Sequence, residues 1–293
     1  FGRAGRGPPE RPVGLVAELV FDECRPEVPA VESEPHRGVV DFLQEPCRDG
    51  AETDDRVAVL QSDDGPVGGD EVARSPGDVD RAAPVILETL AAERPDDEIV
   101  AEEGGGKQGT SGIRWMVDPL DGTSNFLWRL PYWAVSVAAH DHDGALIAVV
   151  YDPSRREIFT ATRGSGAHSD SGPLRVRQQP VLAEALVGTG FSYSPDERLR
   201  QAERLTYVLP RVQDVRRLGA AALDLAWVAA GRLDGFFEVG LAPWDWAAGE
   251  LLVREAGGRI EVVSARQGSP ECVVGASAAL MPELRRLVEA AHR

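Results

Sequence analysis

Acidic side chains follow several short apolar runs of this sequence, at the points where those runs stop. They are the pair Glu102-Glu103, Asp118, Asp121 and Asp245, and a further acid, Asp80, opens a predicted helix. Carboxylates at strand ends and helix starts can converge on one crevice, where their like charges repel at neutral pH. Hard divalent cations with oxygen ligands neutralise such groups. Two ions about 4 Å apart would suit an in-line displacement at phosphorus.

The segment Asp118-Pro119-Leu120-Asp121-Gly122 is the most compact of these acidic groups. Pro119 fixes its own backbone, and Gly122 permits a tight turn. Both carboxylates and the carbonyl of Leu120 can therefore face one ion or a pair of ions.

Each acid taken singly has a simpler interpretation. Aspartate next to proline or glycine is common in turns. Asp80 and Asp245 precede helical patterns and can serve as N-caps. The occurrence of all these acids together favours a metal site over a set of unrelated caps and turns.

The elements that must position these acids alternate between strands and helices, which predicts a mixed α/β fold. Helices are predicted from Asp80 to Arg94 and over Ala220–Ala230, Trp246–Ala256 and Met281–Ala291. Strands are predicted at Ile99–Ala101, Trp115–Val117, Ala134–Ala139, Ala145–Tyr151, Ile158–Ala161, Leu174–Val176, Phe236–Glu238 and Val273–Gly275. The turn Asp141-His142-Asp143-Gly144 between two of these strands indicates an antiparallel hairpin.

The composition indicates a folded, strongly acidic protein. The 293 residues are 43% hydrophobic and carry a formal net charge of −17. This charge argues against nonspecific binding to nucleic acid or to anionic membranes, because both need clustered basic residues. The three cysteines lie far apart and form no CxxC motif, so a reducing, cytoplasmic location is predicted.

The first 70 residues differ from the rest of the chain. They contain eight of the 21 prolines and have weak periodicity. We expect residues 1–70 to be an irregular extension, disordered in part, or a degraded helical start of the domain. Residues 71–293 are predicted to form the catalytic domain.

Two long segments resemble the signatures of the inositol monophosphatase family. The first is Trp-Met-Val-Asp-Pro-Leu-Asp-Gly-Thr-Ser-Asn-Phe at positions 115–126. The second is Pro-Trp-Asp-Trp-Ala-Ala-Gly at positions 243–249, followed by Glu-Ala-Gly-Gly at 255–258. The pair Glu102-Glu103 is similar to the paired glutamates of the family. Two long signatures in the right order are a specific signal.

This resemblance implies a layered αβαβα sugar-phosphatase sandwich, a homodimer, and Mg²⁺-dependent, lithium-sensitive hydrolysis of phosphate monoesters. Two or three Mg²⁺ ions per site are expected. The implied metal ligands are Glu102, Asp118, the carbonyl of Leu120, Asp121 and Asp245.

The resemblance also implies roles around the metal ions. Asp80 and Thr123 would orient the attacking water, with Asp78 as the alternative to Asp80, and Glu103 would lie beside the ligands. The substrate would contact Gly122, Thr123, Gly219, Ala221 and Glu238. Glu238 precedes Asp245 by seven positions, where the family has a carboxylate that binds substrate hydroxyl groups.

The sequence thus predicts a phosphatase for a small polyol phosphate, with inositol 1-phosphate as the first choice. Histidinol phosphate, fructose 1,6-bisphosphate and adenosine 3',5'-bisphosphate are alternatives within the same fold. A noncatalytic protein that keeps the fold and binds a partner is the alternative from another class.

Overall fold

The computed structural model of the chain describes residues 82–102, 104–179, 181–264 and 271–292. Three acids with predicted roles, Asp78, Asp80 and Glu103, lie outside the described residues. So does the extension predicted for residues 1–70.

The first sheet of the described ranges contains seven strands that follow one another in chain order. β1 pairs with β2 in parallel, and each later strand pairs antiparallel with the one before it. The strands are β1 (Glu98–Ala101), β2 (Arg114–Asp121), β3 (Ala134–Asp141), β4 (Gly144–Asp152), β5 (Glu157–Thr162), β6 (Gly166–Ser169) and β7 (Gly172–Pro173).

The second sheet is mixed and has five strands within the described residues. They are β8 (Leu186–Thr189), β9 (Asp214–Arg216), β10 (Gly235–Val239), β11 (Gly258–Val263) and β12 (Cys272–Ser277). Their spatial order is β11, β12, β10, β8, β9. β10 lies parallel to β8 and antiparallel to β12.

The helices form separate layers. They are α1 (Ala82–Glu93), α2 (Thr123–Leu127), α3 (Pro195–Val208), α4 (Ala221–Ala229), α5 (Pro243–Glu255) and α6 (Met281–Ala291). α1 packs on the outer face of the first sheet, α4 and α5 lie between the two sheets, and α3 and α6 cover the second sheet. This arrangement is the predicted αβαβα sandwich. None of the described helices combines the length and apolar character needed to cross a membrane.

The central strands are apolar on both faces because each face is covered by helices. Along β4, Ile147 and Val149 join the core under α1, whereas Ala148 and Val150 face the interior helix layer. Side chains alternate between the two faces of a strand, so small alanines on one face allow α5 to approach closely.

The observed elements correct several sequence predictions. β2 continues through Asp118 and Pro119 to Asp121 instead of stopping at Val117. Residues 174–176 are not in a strand, and α5 begins at Pro243, ahead of the predicted Trp246. α2, α3, β6, β7, β8, β9 and β11 were not predicted. α3 was missed because its sequence is highly charged and buries only Gln201 and Val208 among its residues.

Candidate active site

Three carboxylates from three separate segments meet beside the end of β2. Oxygen atoms of Glu102, Asp118 and Asp245 lie within 4.8 Å of one another. Glu102 follows β1, and its backbone N–H donates a 3.2 Å hydrogen bond to the carbonyl of Val117 in β2. The cluster therefore has the donor set of a hard-cation site, in which every ligand atom is an oxygen.

A bulge at the end of β2 directs its two aspartates. Asp118 pairs with Ser136 of β3 and Asp121 pairs with Ala134, so β2 contains one extra residue between the paired positions. The extra residue lies in the Pro119-Leu120 segment. Asp118 also accepts a 2.9 Å hydrogen bond from the N–H of Leu120, which holds the bulge closed.

Asp245 enters the site from α5. It is the third residue of this helix, and its carboxylate accepts a 2.7 Å hydrogen bond from the N–H of Ala242, just before the helix. The sequence analysis allowed either an N-cap or a metal ligand for this residue. The structure places Asp245 in the first turn with one oxygen engaged to the backbone and the carboxylate in the acidic cluster.

Glu102 is exposed, whereas Asp118 and Asp121 are buried and Asp245 is half-buried, and this burial changes the acidity of the three aspartates. Burial raises the pKa of Asp118 well above its usual range, and the charges of Asp121, Glu102 and Asp245 raise it further. Burial and the charge of Asp245 raise the pKa of Asp121 to about 8. Burial raises the pKa of Asp245 to about 6, and Glu102 adds to this effect. The site thus favours either bound protons or a bound cation.

Asp121 connects the first sheet to the interior helix layer. Its carboxylate accepts hydrogen bonds from the backbone N–H groups of Ala221, at 3.1 Å, and Ala222, at 2.8 Å. Both groups belong to the first turn of α4, where backbone N–H groups lack partners within the helix. Of the substrate residues expected from the sequence, Ala221 is therefore fixed through Asp121.

The turn after β2 is fixed by hydrogen bonds and by a glycine. Gly122 has φ 91°, and a Cβ there would lie 3.1 Å from the Cβ of Ala220 and 3.2 Å from the carbonyl oxygen of Tyr132. The hydroxyl of Thr123 donates a 3.0 Å hydrogen bond to the carbonyl of Leu120. Gly122 thus meets two requirements, a left-handed backbone and close packing against the α4 segment.

Asn125 joins this turn to the segment before α4. Its Nδ2 donates 2.7 Å hydrogen bonds to the carbonyls of Tyr132 and Leu218. Leu218 precedes Gly219, a predicted substrate residue with φ 95°. The Asn125 side chain therefore holds the Gly219 backbone next to the turn that contains Gly122 and Thr123.

Glu238 lies at the end of β10, against the connection that follows β8. A Cβ on Gly190 would overlap its carboxylate, so only glycine leaves room for it there. Burial raises the pKa of Glu238 to about 7, although the nearby guanidinium of Arg217 lowers it and Asp245 raises it. Glu238 is thus close enough to Asp245 for the two charges to interact.

The structure brings together most of the residues singled out in the sequence. Glu102, Asp118, Asp121 and Asp245 form the centre, with Leu120, Gly122, Thr123, Gly219, Ala221 and Glu238 around it. Asp80 and Glu103 are outside the described residues, as is Asp78. The sequence analysis missed Asp224, a buried acid in α4 that accepts a 2.6 Å hydrogen bond from the hydroxyl of Tyr132. A single aspartate in an apolar helix was the available signal.

A second acidic group lies in the turn between β3 and β4. Oxygen and nitrogen atoms of Asp141, His142 and Asp143 are close enough to share an ion. Arg163 already neutralises Asp141 through a 2.8 Å ion pair, and the side chain of Asp143 is 66% exposed. This turn therefore differs from the cluster around the buried Asp118, and Asp143 provides a matched control for charge removal.

Comparison with known sequences agrees with this geometry. The sequence profile of the inositol monophosphatase family matches residues 77–293. The Nus factor SuhB of Escherichia coli strain K12 is 49% identical over 183 residues, which cover 61% of this chain and 68% of that protein. The Nus factor SuhB of Pasteurella multocida is 44% identical over 185 residues, covering 62% of this chain and 69% of that protein.

Solved structures show the same fold. Mycobacterium tuberculosis SuhB superimposes with a TM-score of 0.65 at 38% identity, covering 73% of this chain and 86% of the other. The inositol monophosphatase from Anabaena (Nostoc) sp. PCC 7120 has a TM-score of 0.67 at 32% identity, covering 80% and 90%. With the profile matching most of its length and the layers and acidic cluster in place, this chain belongs to the inositol monophosphatase family.

Proposed function

We propose that this protein is a Mg²⁺-dependent phosphomonoesterase that hydrolyses a small polyol phosphate, with inositol 1-phosphate as the first candidate. The observation that supports this most is the cluster of Glu102, Asp118 and Asp245, whose oxygen atoms lie within 4.8 Å of one another. Asp118 is 1% exposed, so its charge is costly without a cation nearby. Membership of the family supports the same reaction class.

The residues present fit Mg²⁺, because they supply carboxylate and carbonyl oxygens and no sulfur or imidazole ligand. The proposed ligands are Glu102, Asp118, the carbonyl of Leu120, Asp121 and Asp245. When bound, Mg²⁺ would neutralise the acids, lower the pKa of water and stabilise negative charge on the phosphate and the leaving oxygen.

The chain's own residues would position the substrate and the water. Thr123 and Asp80 would orient the water, and Glu103 would support the neighbouring ligands. The backbone N–H groups of Gly122 and Thr123 would donate to phosphate oxygens. Water attacks phosphorus, the ester P–O bond breaks, and the alcohol leaves with a proton while inorganic phosphate remains.

The leaving group would lie on the side of Glu238, Gly219 and Ala221. The Glu238 carboxylate can accept hydrogen bonds from hydroxyl groups of a polyol. Its carboxylate packs against Gly190, and the nearby Arg217 offsets its charge. This part of the site favours a hydroxyl-rich leaving group over an apolar one.

The direct test is phosphate release from inositol 1-phosphate in Mg²⁺ and in EDTA. We expect release in Mg²⁺ only, inhibition by Li⁺, and loss of at least about 100-fold in Asp118→Asn, since positioning and charge neutralisation dominate such reactions. Asp143→Asn removes one exposed charge at the other acidic group and should keep full activity. Equal release in Mg²⁺ and EDTA would contradict the mechanism.

A panel of substrates then ranks the leaving groups. Histidinol phosphate, fructose 1,6-bisphosphate and adenosine 3',5'-bisphosphate are the alternatives predicted from the sequence. A higher kcat/KM for one of them than for inositol 1-phosphate would support the phosphatase function and identify a different preferred substrate.

A second candidate is a protein that binds a macromolecular partner without catalysis. The observation in its favour is the name Nus factor, which relatives up to 49% identical carry. If the protein releases phosphate from none of the substrates and Mg²⁺ does not raise its melting temperature, this candidate is favoured. The homodimer and the cytoplasmic location stay predictions, which sedimentation and cell fractionation can test.

A further inference from the structure

An exposed tyrosine stands beside the turn that follows β2. Tyr193 is 77% exposed, and its hydroxyl oxygen accepts a 3.4 Å hydrogen bond from the hydroxyl of Ser124. Ser124 directly follows Thr123, whose backbone is proposed to contact phosphate. The aromatic ring therefore lies at the rim of the proposed site, one residue away from the phosphate position.

The backbone that carries this ring is held in place. Arg198 of α3 donates to the carbonyls of Ser192, at 3.1 Å, and Tyr193, at 2.9 Å. The N–H of Ser192 donates a 2.9 Å hydrogen bond to the side chain of the buried Gln201. These hydrogen bonds fix the backbone that presents Tyr193 to solvent. A fixed backbone preorganises the tyrosine for a ligand.

The same segment reaches Glu238 at its other end. Gly190 packs on the Glu238 carboxylate, and the ring of Phe191 lies 5.9 Å from the guanidinium of Arg217. Residues 190–193 thus extend from the acid proposed to bind hydroxyl groups to the turn proposed to bind phosphate. A substrate that bridges these two points has this segment along one side.

We propose that Tyr193 is a specificity-determining residue whose ring packs against the carbon skeleton of a cyclic polyol leaving group. This inference rests on the proposed phosphatase function and deepens it, because it names the side chain that packs against the leaving group. A tyrosine ring has an apolar face for the C–H groups of a ring substrate and a polar tip that stays in water. An acyclic alcohol offers the ring much less surface.

The test compares Tyr193→Ala, Tyr193→Phe and a control, Tyr207→Ala. Tyr207 lies near the end of α3, where Arg211 covers its ring. Binding of inositol 1-phosphate is measured by calorimetry with Ca²⁺, and turnover is measured with Mg²⁺. Glycerol 2-phosphate serves as the acyclic substrate.

We expect Tyr193→Ala to weaken inositol 1-phosphate binding and raise its KM about fivefold, with kcat within about twofold. The kinetic constants for glycerol 2-phosphate should not change. Tyr193→Phe keeps the ring and should bind like the wild type, as should Tyr207→Ala. A purely structural role would instead lower kcat for both substrates and lower the melting temperature.

The two proposals fail separately. If the wild type turns over inositol 1-phosphate, and the ratio of the KM values for the cyclic and acyclic substrates is the same in Tyr193→Ala as in the wild type, the phosphatase function stands. The proposed role of the Tyr193 ring is then wrong. If Tyr193→Ala binds inositol 1-phosphate more weakly than the wild type, but the wild type shows no turnover, the role of the Tyr193 ring is supported and the phosphatase function is contradicted. A wild type that binds neither phosphate would overturn both.

Discussion

The carboxylate of Asp121, at the end of β2, accepts a 2.8 Å hydrogen bond from the backbone N–H of Ala222, which lies 101 residues further along the chain. Ala221 donates to the same carboxylate. One side chain thus satisfies two N–H groups of the α4 terminus and lies close enough to Asp118 and Asp245 for their charges to interact. We infer that the fold and the proposed metal site share this residue, so that substitutions here affect both.

The shared role of Asp121 can be separated by two substitutions measured in EDTA. Asn keeps an acceptor oxygen for α4 and removes the buried charge, whereas Ala leaves both N–H groups without this acceptor. We therefore expect Asp121→Asn to be more stable than Asp121→Ala by about 1–3 kcal/mol in urea unfolding. Equal stability of the two variants would show that the hydrogen bonds to α4 contribute nothing.

The stability of the metal-free protein should depend on pH. The pKa of Asp121 is raised to about 8 and that of Asp245 to about 6, so the folded state binds protons more tightly than the unfolded state. The free energy of unfolding in EDTA should therefore fall as the pH rises from about 4, the unfolded pKa, toward about 8. Melting curves across this range test the sign.

The matched comparison for this pH effect is Asp121→Asn, which lacks the one of these two carboxyls with the higher pKa. Its stability should fall less steeply between about pH 6 and pH 8 than that of the wild type. Saturating Mg²⁺ should flatten the wild-type curve as well, because a cation replaces the protons. A wild-type curve that rises over this range in EDTA would contradict the assignment.

Removal of the Asp118 charge should abolish the response to Mg²⁺. At a Mg²⁺ concentration about 100 times the dissociation constant, a ligand specific for the folded state adds about 2.7 kcal/mol. This gain in the free energy of unfolding raises the melting temperature. We expect the rise in the wild type and in Asp143→Asn, and not in Asp118→Asn. In EDTA, Asp118→Asn should melt no lower than the wild type, because a buried carboxylate among like charges has been removed.

The hydrogen bond between Tyr132 and Asp224 should stabilise the interior layer. Burial raises the pKa of Asp224 well above its usual range, although the Tyr132 hydroxyl lowers it. Tyr132→Phe removes the described partner of this acid and should cost about 1–3 kcal/mol in the free energy of unfolding. Tyr207→Phe, on the surface of α3, should cost nothing measurable. Equal effects of the two changes would contradict the role of the bond.

Asp97 gives a stability contribution with the opposite pH dependence. Burial raises its pKa, but hydrogen bonds from Ser111, Arg94 and Trp115 outweigh burial and lower it. Its contribution is therefore present above the unfolded pKa of about 4 and lost as the pH falls through the folded pKa.

We expect Asp97→Asn to be less stable than the wild type at pH 7, with a difference that narrows below about pH 4. Urea unfolding at several pH values measures the difference. Asp96→Asn, at the exposed neighbouring position, is the control and should match the wild type. A difference that stays constant down to acid pH would rule out an ionised Asp97 as its cause.

Much of the site follows from local sequence. The Asp-Pro-Leu-Asp-Gly segment contains its own bulge and turn, because Pro119 fixes its own φ and Gly122 can adopt the left-handed backbone that the turn requires. The strand Glu98–Ala101, the β3–β4 hairpin and the helix Met281–Ala291 were predicted near their observed positions for the same reason, since period and turn residues act over short distances.

Other features could not be predicted from the sequence because they depend on tertiary contacts. The charged sequence of α3 lacks a strong apolar stripe, and this helix lies on the second sheet beside α6 with few of its side chains buried. β8, β9 and β11 are short and depend on neighbours far away in the chain. The rim position of Tyr193 results from the contact of its segment with Ser124, 69 residues earlier.

The sequence by itself determined the family, the mixed α/β class and the set of acids, because residue types and short spacings carry that information. Only the tertiary structure decided which of the described acids meet, how deeply Asp118 is buried and that Asp121 also holds α4. Proximity between distant segments depends on how sheets and helices pack, and the pKa of each acid follows from that packing through burial and neighbouring charge.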